Sequence, residues 1–315
     1  MTQIITTIII SILPLILYVL FGTALARLCH FEKAHADAVT KLVYYLLLPA
    51  SLFTTAFTAD LNTRGLFFAT ALSCVLVTLS CVLSVFVARR VEQERKKRAT
   101  LASILWKGNY TMLGLPVAAV LLSAEGYVIY AMIAVVMSIL TNIIIIPQLT
   151  LMLQQGQKDG MQKALKDVAT NPATLGAVLG LLVRLVTPSL PAIIMTPLNG
   201  LTACSGVVSM IMIGISIGVN GLSKNRRLIA VTGLFKLALF PLLFALAGYL
   251  AGIRGPGLGA LVLSAAVPPG INAGILAGAM GADGPFANEA VFAVTVLSAA
   301  SLFVWGVVFQ FLGWL

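Results

Sequence analysis

The sequence predicts an all-α polytopic membrane protein, ten transmembrane helices built as two inverted five-helix repeats. Three observations predict it. Of 315 residues, 60% are hydrophobic and 10% charged, with a mean hydropathy of +1.04. A soluble domain carries about 25% charged residues, so too little polar surface exists here to cover a water-soluble core. Lysine and arginine gather in alternate loops. The fourth apolar run of each half is interrupted near its middle by glycine, proline and asparagine.

A helix needs about 20 residues to cross the hydrocarbon layer. The apolar runs place ten such helices at 4–28, 38–57, 66–88, 101–123, 127–153, 173–186, 193–219, 228–251, 258–280 and 290–312. The runs are continuously apolar rather than alternating, which favours helices over a barrel. The first run is too long for a signal-peptide core and has neither a basic leader nor an A-x-A cleavage site, so it reads as a span. The sixth is the shortest.

Counting basic residues loop by loop sets the orientation. Arg27, Lys33 and Lys41 follow the first run; Arg89, Arg90, Arg95, Lys96, Lys97 and Arg98 follow the third; Lys158, Lys163 and Lys166 follow the fifth; Lys224, Arg226 and Arg227 follow the seventh. These 15 face only three on the other side, Arg64, Arg184 and Arg254. The bias puts the basic loops in the cytoplasm and both termini outside. A miscount of one helix would break the alternation. The loop 281–289, carrying only Asp283 and Glu289, is neutral to the rule. The chain then reads as a first repeat over 1–153, a cytoplasmic linker over 154–170 and an inverted second repeat over 171–315, in the cell (inner) membrane.

Other classes find no support. Cys29, Cys74, Cys81 and Cys204 form no CxxC pair, and the two histidines, His30 and His35, share one short loop, so neither a metal site nor a disulfide framework is expected. The net charge of +10 is accounted for by cytoplasmic loops, and the run 89–98 reads as a topology determinant touching anionic headgroups rather than nucleic acid. No HExxH, intramembrane aspartate pair, serine–histidine pairing or P-loop suggests an enzyme or an ATP-driven pump. No cofactor is expected. The partners are the lipid bilayer and a small organic anion. A homodimer is compatible with the sequence without being indicated by it.

The matched interruptions carry the functional reading. The fourth run contains Gly108, Asn109, Tyr110, Gly114 and Pro116; the ninth contains Pro268, Pro269, Gly270, Asn272 and Gly274. Proline removes a backbone donor and clashes with the preceding turn. Backbone groups freed in hydrocarbon cost several kcal/mol each unless something satisfies them. A mid-membrane break is therefore tolerable only where it is buried in protein or lines a polar cavity. Paired breaks at corresponding positions of two halves point to a transporter's binding site, where half-helix N-termini offer free amides to an anion, above all a carboxylate.

In these stretches the chain resembles the auxin efflux carrier family, as a bacterial member. Lys41 through Pro49 and Ala50, Gly108-Asn109 through Gly114 and Pro116, Asn171-Pro172, Phe235-Lys236 through Pro241, and Pro268-Pro269 with Asn272 carry the likeness, in order along the whole chain. The resemblance implies a fold like that of sodium/bile-acid symporters, with unwound, crossing helices 4 and 9 and a transport part rocking against a scaffold. It also implies organic-anion substrates, such as indole acetic acid in plants and malonate or malate in bacteria. The long central loop of many plant members is replaced here by 154–170. By resemblance, Pro116 and Pro268 sit at the crossover, Asn109 and Asn272 offer amides to the substrate, and Gly114, Gly270 and Gly274 allow close backbone approach.

Individual residues carry competing readings. Asn109, Asn272 and Asn142 serve either as substrate contacts or as interhelical glue, which is worth about 0.6–2 kcal/mol. Lys107 and Lys236 lie inside spans, where a lysine costs about 2.5–3.5 kcal/mol; Lys107 either contacts substrate or snorkels to the headgroups, and Lys236 attracts an anion, meets a freed carbonyl or snorkels. Tyr110 and Pro269 neighbour the breaks and join the candidate site. No Asp or Glu falls in a span's core, so no acidic proton relay is expected. The leading reading is a secondary transporter of small organic anions working by alternating access. The alternatives are a sodium-coupled symporter of the bile-acid type and a non-transporting sensor on the same fold.

Overall fold

The computed structural model describes residues 2–29, 33–58, 67–111, 113–154, 162, 166–167, 169–216 and 224–314. Their regular structure is helical: α1 (Thr2–Leu28), α2 (Lys33–Leu42), α3 (Leu48–Phe57), α4 (Phe67–Val91), α5 (Arg95–Trp106), α6 (Gly114–Leu121), α7 (Ala124–Leu153), α8 (Pro172–Val186), α9 (Ala192–Ser216), α10 (Arg226–Leu234), α11 (Phe240–Leu250), α12 (Gly255–Ala266), α13 (Ile271–Ala279) and α14 (Gly284–Leu312). Among the described residues, six segments are long and apolar enough to cross a membrane: Ala38–Phe57, Phe67–Val91, Ala124–Leu153, Ala192–Ile215, Arg226–Leu250 and Gly284–Leu312. Ile16–Leu28, Pro172–Val186 and Gly255–Ala266 are shorter apolar helices. The protein is thus a multi-pass membrane protein. The expected start of the third run at 66, the end of the seventh at 219 and most of the linker 154–170 lie outside the described residues.

Two continuous helices contain a turn of π-helix, Val43–Leu47 between α2 and α3 and Phe235–Leu239 between α10 and α11. Proline explains both. Pro49 and Pro241 lack the N–H that would have bonded the carbonyls of Tyr45 and Leu237, four residues back. The freed Leu237 carbonyl accepts instead from Ser301 Oγ and Trp305 Nε1 of α14, each at 3.0 Å.

Three helix starts differ by five residues or more from the sequence expectation, the second run beginning at Lys33 rather than 38. The fourth run begins at Arg95 rather than 101, because the chain reverses within Glu92–Glu94, where the Glu94 N–H bonds the Glu92 carboxylate at 2.8 Å. The tenth begins at Gly284 rather than 290. Asp283 caps it by accepting from the Phe286 N–H at 3.0 Å, and Pro285 fits the first turn, where no N–H is needed. Glu289 is therefore not a loop residue at a span end. It is buried in α14, its carboxylate accepting from Asn225 Nδ2 at 2.7 Å.

Packing follows the small residues. α1 lies along α9 and α3 along α8. At both crossings glycine lets backbones touch: a Cβ on Gly214 would sit 2.9 Å from Gly22 Cα, and one on Gly180 would sit 3.0 Å from Phe53 Cα. α4 packs on α5 and α11 on α12. α5 and α12 occupy the centre, with residues 99–106 and 258–266 buried on every side. A helix that is apolar all round must sit in this way, surrounded by other helices. Both end abruptly at mid-bundle, at Trp106 and Ala266.

Candidate functional site

The two ends meet. Beyond α5 the backbone is extended at Lys107, and beyond α12 at Val267. Gly108 and Pro269 form an antiparallel bridge. The Asn109 N–H donates to the Pro268 carbonyl at 2.8 Å, and the Gly270 N–H donates to the Lys107 carbonyl at 3.0 Å. Each break thereby supplies the backbone partner that the other lost. Glycine is required at this approach, because a Cβ on Gly270 would lie 2.8 Å from the Gly108 carbonyl oxygen.

Four carbonyls of the first break are met by neighbours. The Trp106 carbonyl accepts from Lys236 Nζ at 3.1 Å. The Tyr110 carbonyl accepts from the Tyr130 hydroxyl at 3.0 Å. The Asn109 carbonyl accepts from the Gly114 N–H at 3.1 Å, and the Thr111 carbonyl from the Leu115 N–H at 3.4 Å. These last two bonds close the first turn of α6 onto the break itself. The expectation that both half-helices present free amides is thus corrected: α6 spends its first amides on the Asn109–Thr111 turn. The first turn of α13 is met in part: the Gly270 N–H is spent on the Lys107 carbonyl and the Ala273 N–H on the Gly270 carbonyl at 2.9 Å, while the N–H groups of Ile271 and Asn272 precede any intrahelical acceptor.

A cavity of about 360 Å³ lined by Tyr44, Thr150, Asp167, Asn171 and Met280, among others, lies near the ends of α7 and α13. A second, of about 320 Å³, opens on the crossover. One wall of the second cavity is the crossover: Lys107, Gly108, Asn109, Tyr110 and Thr111 from the first break, and Gly270, Ile271 and Asn272 from the second. Ser138, Thr141 and Asn142 of α7 flank it. The facing wall comes from α3 (Ser51, Leu52, Thr55) and α9 (Thr202, Ala203, Ser205, Gly206). Among the described residues no Asp or Glu lines it.

Lys107 dominates the electrostatics. It does not snorkel: it is 3% exposed, and its Nζ donates to Asn142 Oδ1 at 2.6 Å. Asn142 Nδ2 in turn donates to the Ser138 carbonyl. Asn109, 6% exposed, has its Nδ2 buried with no hydrogen-bond partner. The unmet Asn109 donor and the buried Lys107 thus share a cavity wall on which, among the described residues, no acidic group stands.

The sequence-predicted residues take different places. Asn109, Tyr110, Asn142, Gly270 and Asn272 line the cavity. Pro268 and Pro269 build the crossover backbone behind it. Pro116 falls in the first turn of α6; its side chain lies outside what is described. Gly114 serves packing, since a Cβ there would strike the Tyr130 ring at 2.9 Å, and a Cβ on Gly274 would come within 2.7 Å of Asn288 Oδ1 on α14. Lys236 is 1% exposed and lies behind the crossover, against the Tyr110 ring (5.9 Å to the centroid) and beside a void of only about 10 Å³. It neither snorkels nor reaches the cavity. Ser51, Thr55, Ser138, Thr141, Thr202 and Ser205 were not anticipated; their only sequence signal is hydroxyls recurring at helical spacing in apolar runs.

A family model described as membrane transport protein matches residues 7–306. The chain belongs to this family, the auxin efflux carriers. Curated relatives agree in kind. An uncharacterized transporter of Methanothermobacter thermautotrophicus is 25% identical over 300 residues, covering 95% of this chain and 97% of its own. The uncharacterized transporter YfdV of Escherichia coli is 27% identical over 277 residues, covering 85% and 86%. The protein is accordingly a membrane transporter of the auxin efflux carrier family.

Proposed function

We propose that this carrier is a secondary transporter of small organic anions, carboxylates, and that it binds them in the crossover cavity. The observation that carries the reading is the unpartnered, buried Asn109 Nδ2 on the wall it shares with Lys107. A buried ammonium held only by a neutral amide is poorly compensated. An ammonium has three N–H donors, so with one on Asn142 two remain for a ligand. The first turn of α13 adds the positive end of a helix dipole at Gly270–Asn272. A cavity of about 320 Å³ sits at the lower end of small-molecule sites.

Alternating access follows from the proposed repeat. In a ten-span numbering α1 and α3 belong to the first two spans of one half, and α8 and α9 are the first two of the other. First packs on second in both directions: α1 on α9, and α8 on α3. Third-on-fourth contacts recur likewise, α4 on α5 and α11 on α12. Such an exchange relation supports two inverted halves that rock about the crossover, with the basic loops in the cytoplasm and the termini outside.

The direct test is uptake of labelled mono- and dicarboxylates into proteoliposomes. Asn109→Ala and Asn272→Ala should each fold normally and lower uptake about tenfold, the loss of one charge-assisted hydrogen bond. Normal folding with unchanged uptake in both variants would remove the crossover as the site.

A further inference from the structure

On the reading that the crossover cavity takes a carboxylate, its two walls make different offers. The crossover wall offers donors, the Lys107 ammonium and the unpartnered Asn109 Nδ2. On the α3 and α9 side, two of the hydroxyls that line the cavity, those of Thr55 and Thr202, are left as acceptors. Thr55 of α3 gives its hydroxyl hydrogen to the Ser51 carbonyl at 2.8 Å, and Thr202 of α9 gives its own to the Leu198 carbonyl at 2.8 Å. Both are bonds of threonine to the carbonyl four residues back, the local bond such hydroxyls form within a helix. A hydroxyl has one hydrogen and two lone pairs. With the hydrogen engaged, each of these side chains shows the cavity lone pairs alone. No cation from α3 or α9 lines the cavity to change that balance among the described residues.

We propose that the substrate is a carboxylate that also bears a hydrogen-bond donor, a hydroxyl or an N–H, away from the carboxylate. The carboxylate sits against Lys107 and Asn109, and the donor reaches Thr55 and Thr202. A plain alkyl carboxylate of the same shape leaves those acceptors unmet, and a group with lone pairs but no hydrogen faces them with repulsion. Selectivity then arises from both ends: charge fixes one, and donor–acceptor matching fixes the other.

Isosteric pairs of acids test this in proteoliposomes: 3-hydroxypropanoate against butanoate, 4-hydroxybutanoate against pentanoate, and 5-hydroxypentanoate against hexanoate. In at least one pair the hydroxy acid should be preferred about tenfold in kcat/KM, the scale of one hydrogen bond. The preference should shrink to about threefold or less in the double variant Thr55→Val, Thr202→Val, and persist in Thr55→Ser, Thr202→Ser. Equal handling of both members of every pair would overturn the donor requirement while leaving carboxylate transport standing, and the unsubstituted protein alone decides that point. A preference that survives the valine substitutions would overturn the assignment to Thr55 and Thr202. Absence of saturable uptake for all six acids, and for the wider carboxylate series, would remove the anion reading and this inference with it.

Discussion

The crossover has two faces, and each holds one buried lysine. On the cavity face Lys107 is tied to a side-chain amide, Asn142 Oδ1, with the unmet Asn109 donor on the same wall. On the closed face Lys236 is tied to a main-chain carbonyl, Trp106 O, and lies over the Tyr110 ring. The residue type and the burial are the same, but the surroundings differ. Lys236 completes a broken helix, replacing the N–H that the next turn would have supplied. Lys107 completes no backbone bond: its partner is the side-chain amide of Asn142, which itself lines the cavity. A buried charge that repairs the backbone is structural; one that leaves donors to spare invites a ligand.

The largest expected effect attacks what both faces share. Gly270→Val brings a branched side chain against the Gly108 carbonyl oxygen, which a bare Cβ would already approach to 2.8 Å. Backbone cannot retreat there without breaking the Asn109–Pro268 and Gly270–Lys107 bonds. We expect a loss of about 3 kcal/mol or more and little folded carrier, read by monodispersity and thermal unfolding in detergent. Folded, active protein would show that the crossover is looser than its hydrogen bonds imply.

The two lysines should then separate stability from transport. Lys236→Met leaves the Trp106 carbonyl buried and unmet, and should destabilise by about 1–3 kcal/mol. Lys107→Met removes a charge whose burial is itself unfavourable. It should leave stability within about 1 kcal/mol or raise it, while uptake of any carboxylate substrate falls about 100-fold or more. Thermal unfolding and proteoliposome uptake on both variants decide the matter. The opposite pattern, with Lys107 needed for stability and Lys236 only for uptake, would exchange the roles assigned to the faces.

The same contrast shows what was legible in the sequence. The second break was placed correctly because its cause is local: Pro268 and Pro269 lack the N–H groups that would continue α12. The first break lies in the early part of the interruption expected over 108–116. Pro116 falls in the first turn of α6, where a missing N–H costs nothing, so it begins a helix rather than ending one. The unwound stretch instead precedes it, around Gly108 and Asn109. Nearby asparagines were visible as polar groups in apolar runs, and Asn109, Asn142 and Asn272 do line one cavity. Lys236 was visible as an intramembrane charge, yet its partner is a carbonyl 130 residues away, set by tertiary packing that no local pattern encodes. The hydroxyls of α3 and α9 escaped for the same reason: which face of an apolar helix meets a cavity is decided by its neighbours.

The smallest effects concern how Lys236 is aimed. It stands in the π-turn that Pro241 opens, and that turn is fastened to α14 by two donors on the single Leu237 carbonyl, Ser301 Oγ and Trp305 Nε1. Redundancy makes each donor cheap to lose alone. Ser301→Ala should destabilise by about 0.5 kcal/mol or less, because the indole N–H keeps the carbonyl satisfied. Trp305→Phe should cost more, since it also removes buried ring area. The informative quantity is the double variant. With both donors gone the carbonyl is orphaned, so the combined loss should exceed the sum of the two single losses by about 1 kcal/mol. A double-mutant cycle by thermal unfolding measures that excess. Simple additivity would mean that the Leu237 carbonyl finds another partner, and the π-turn would then have to be held by side-chain packing rather than by its hydrogen bonds to α14.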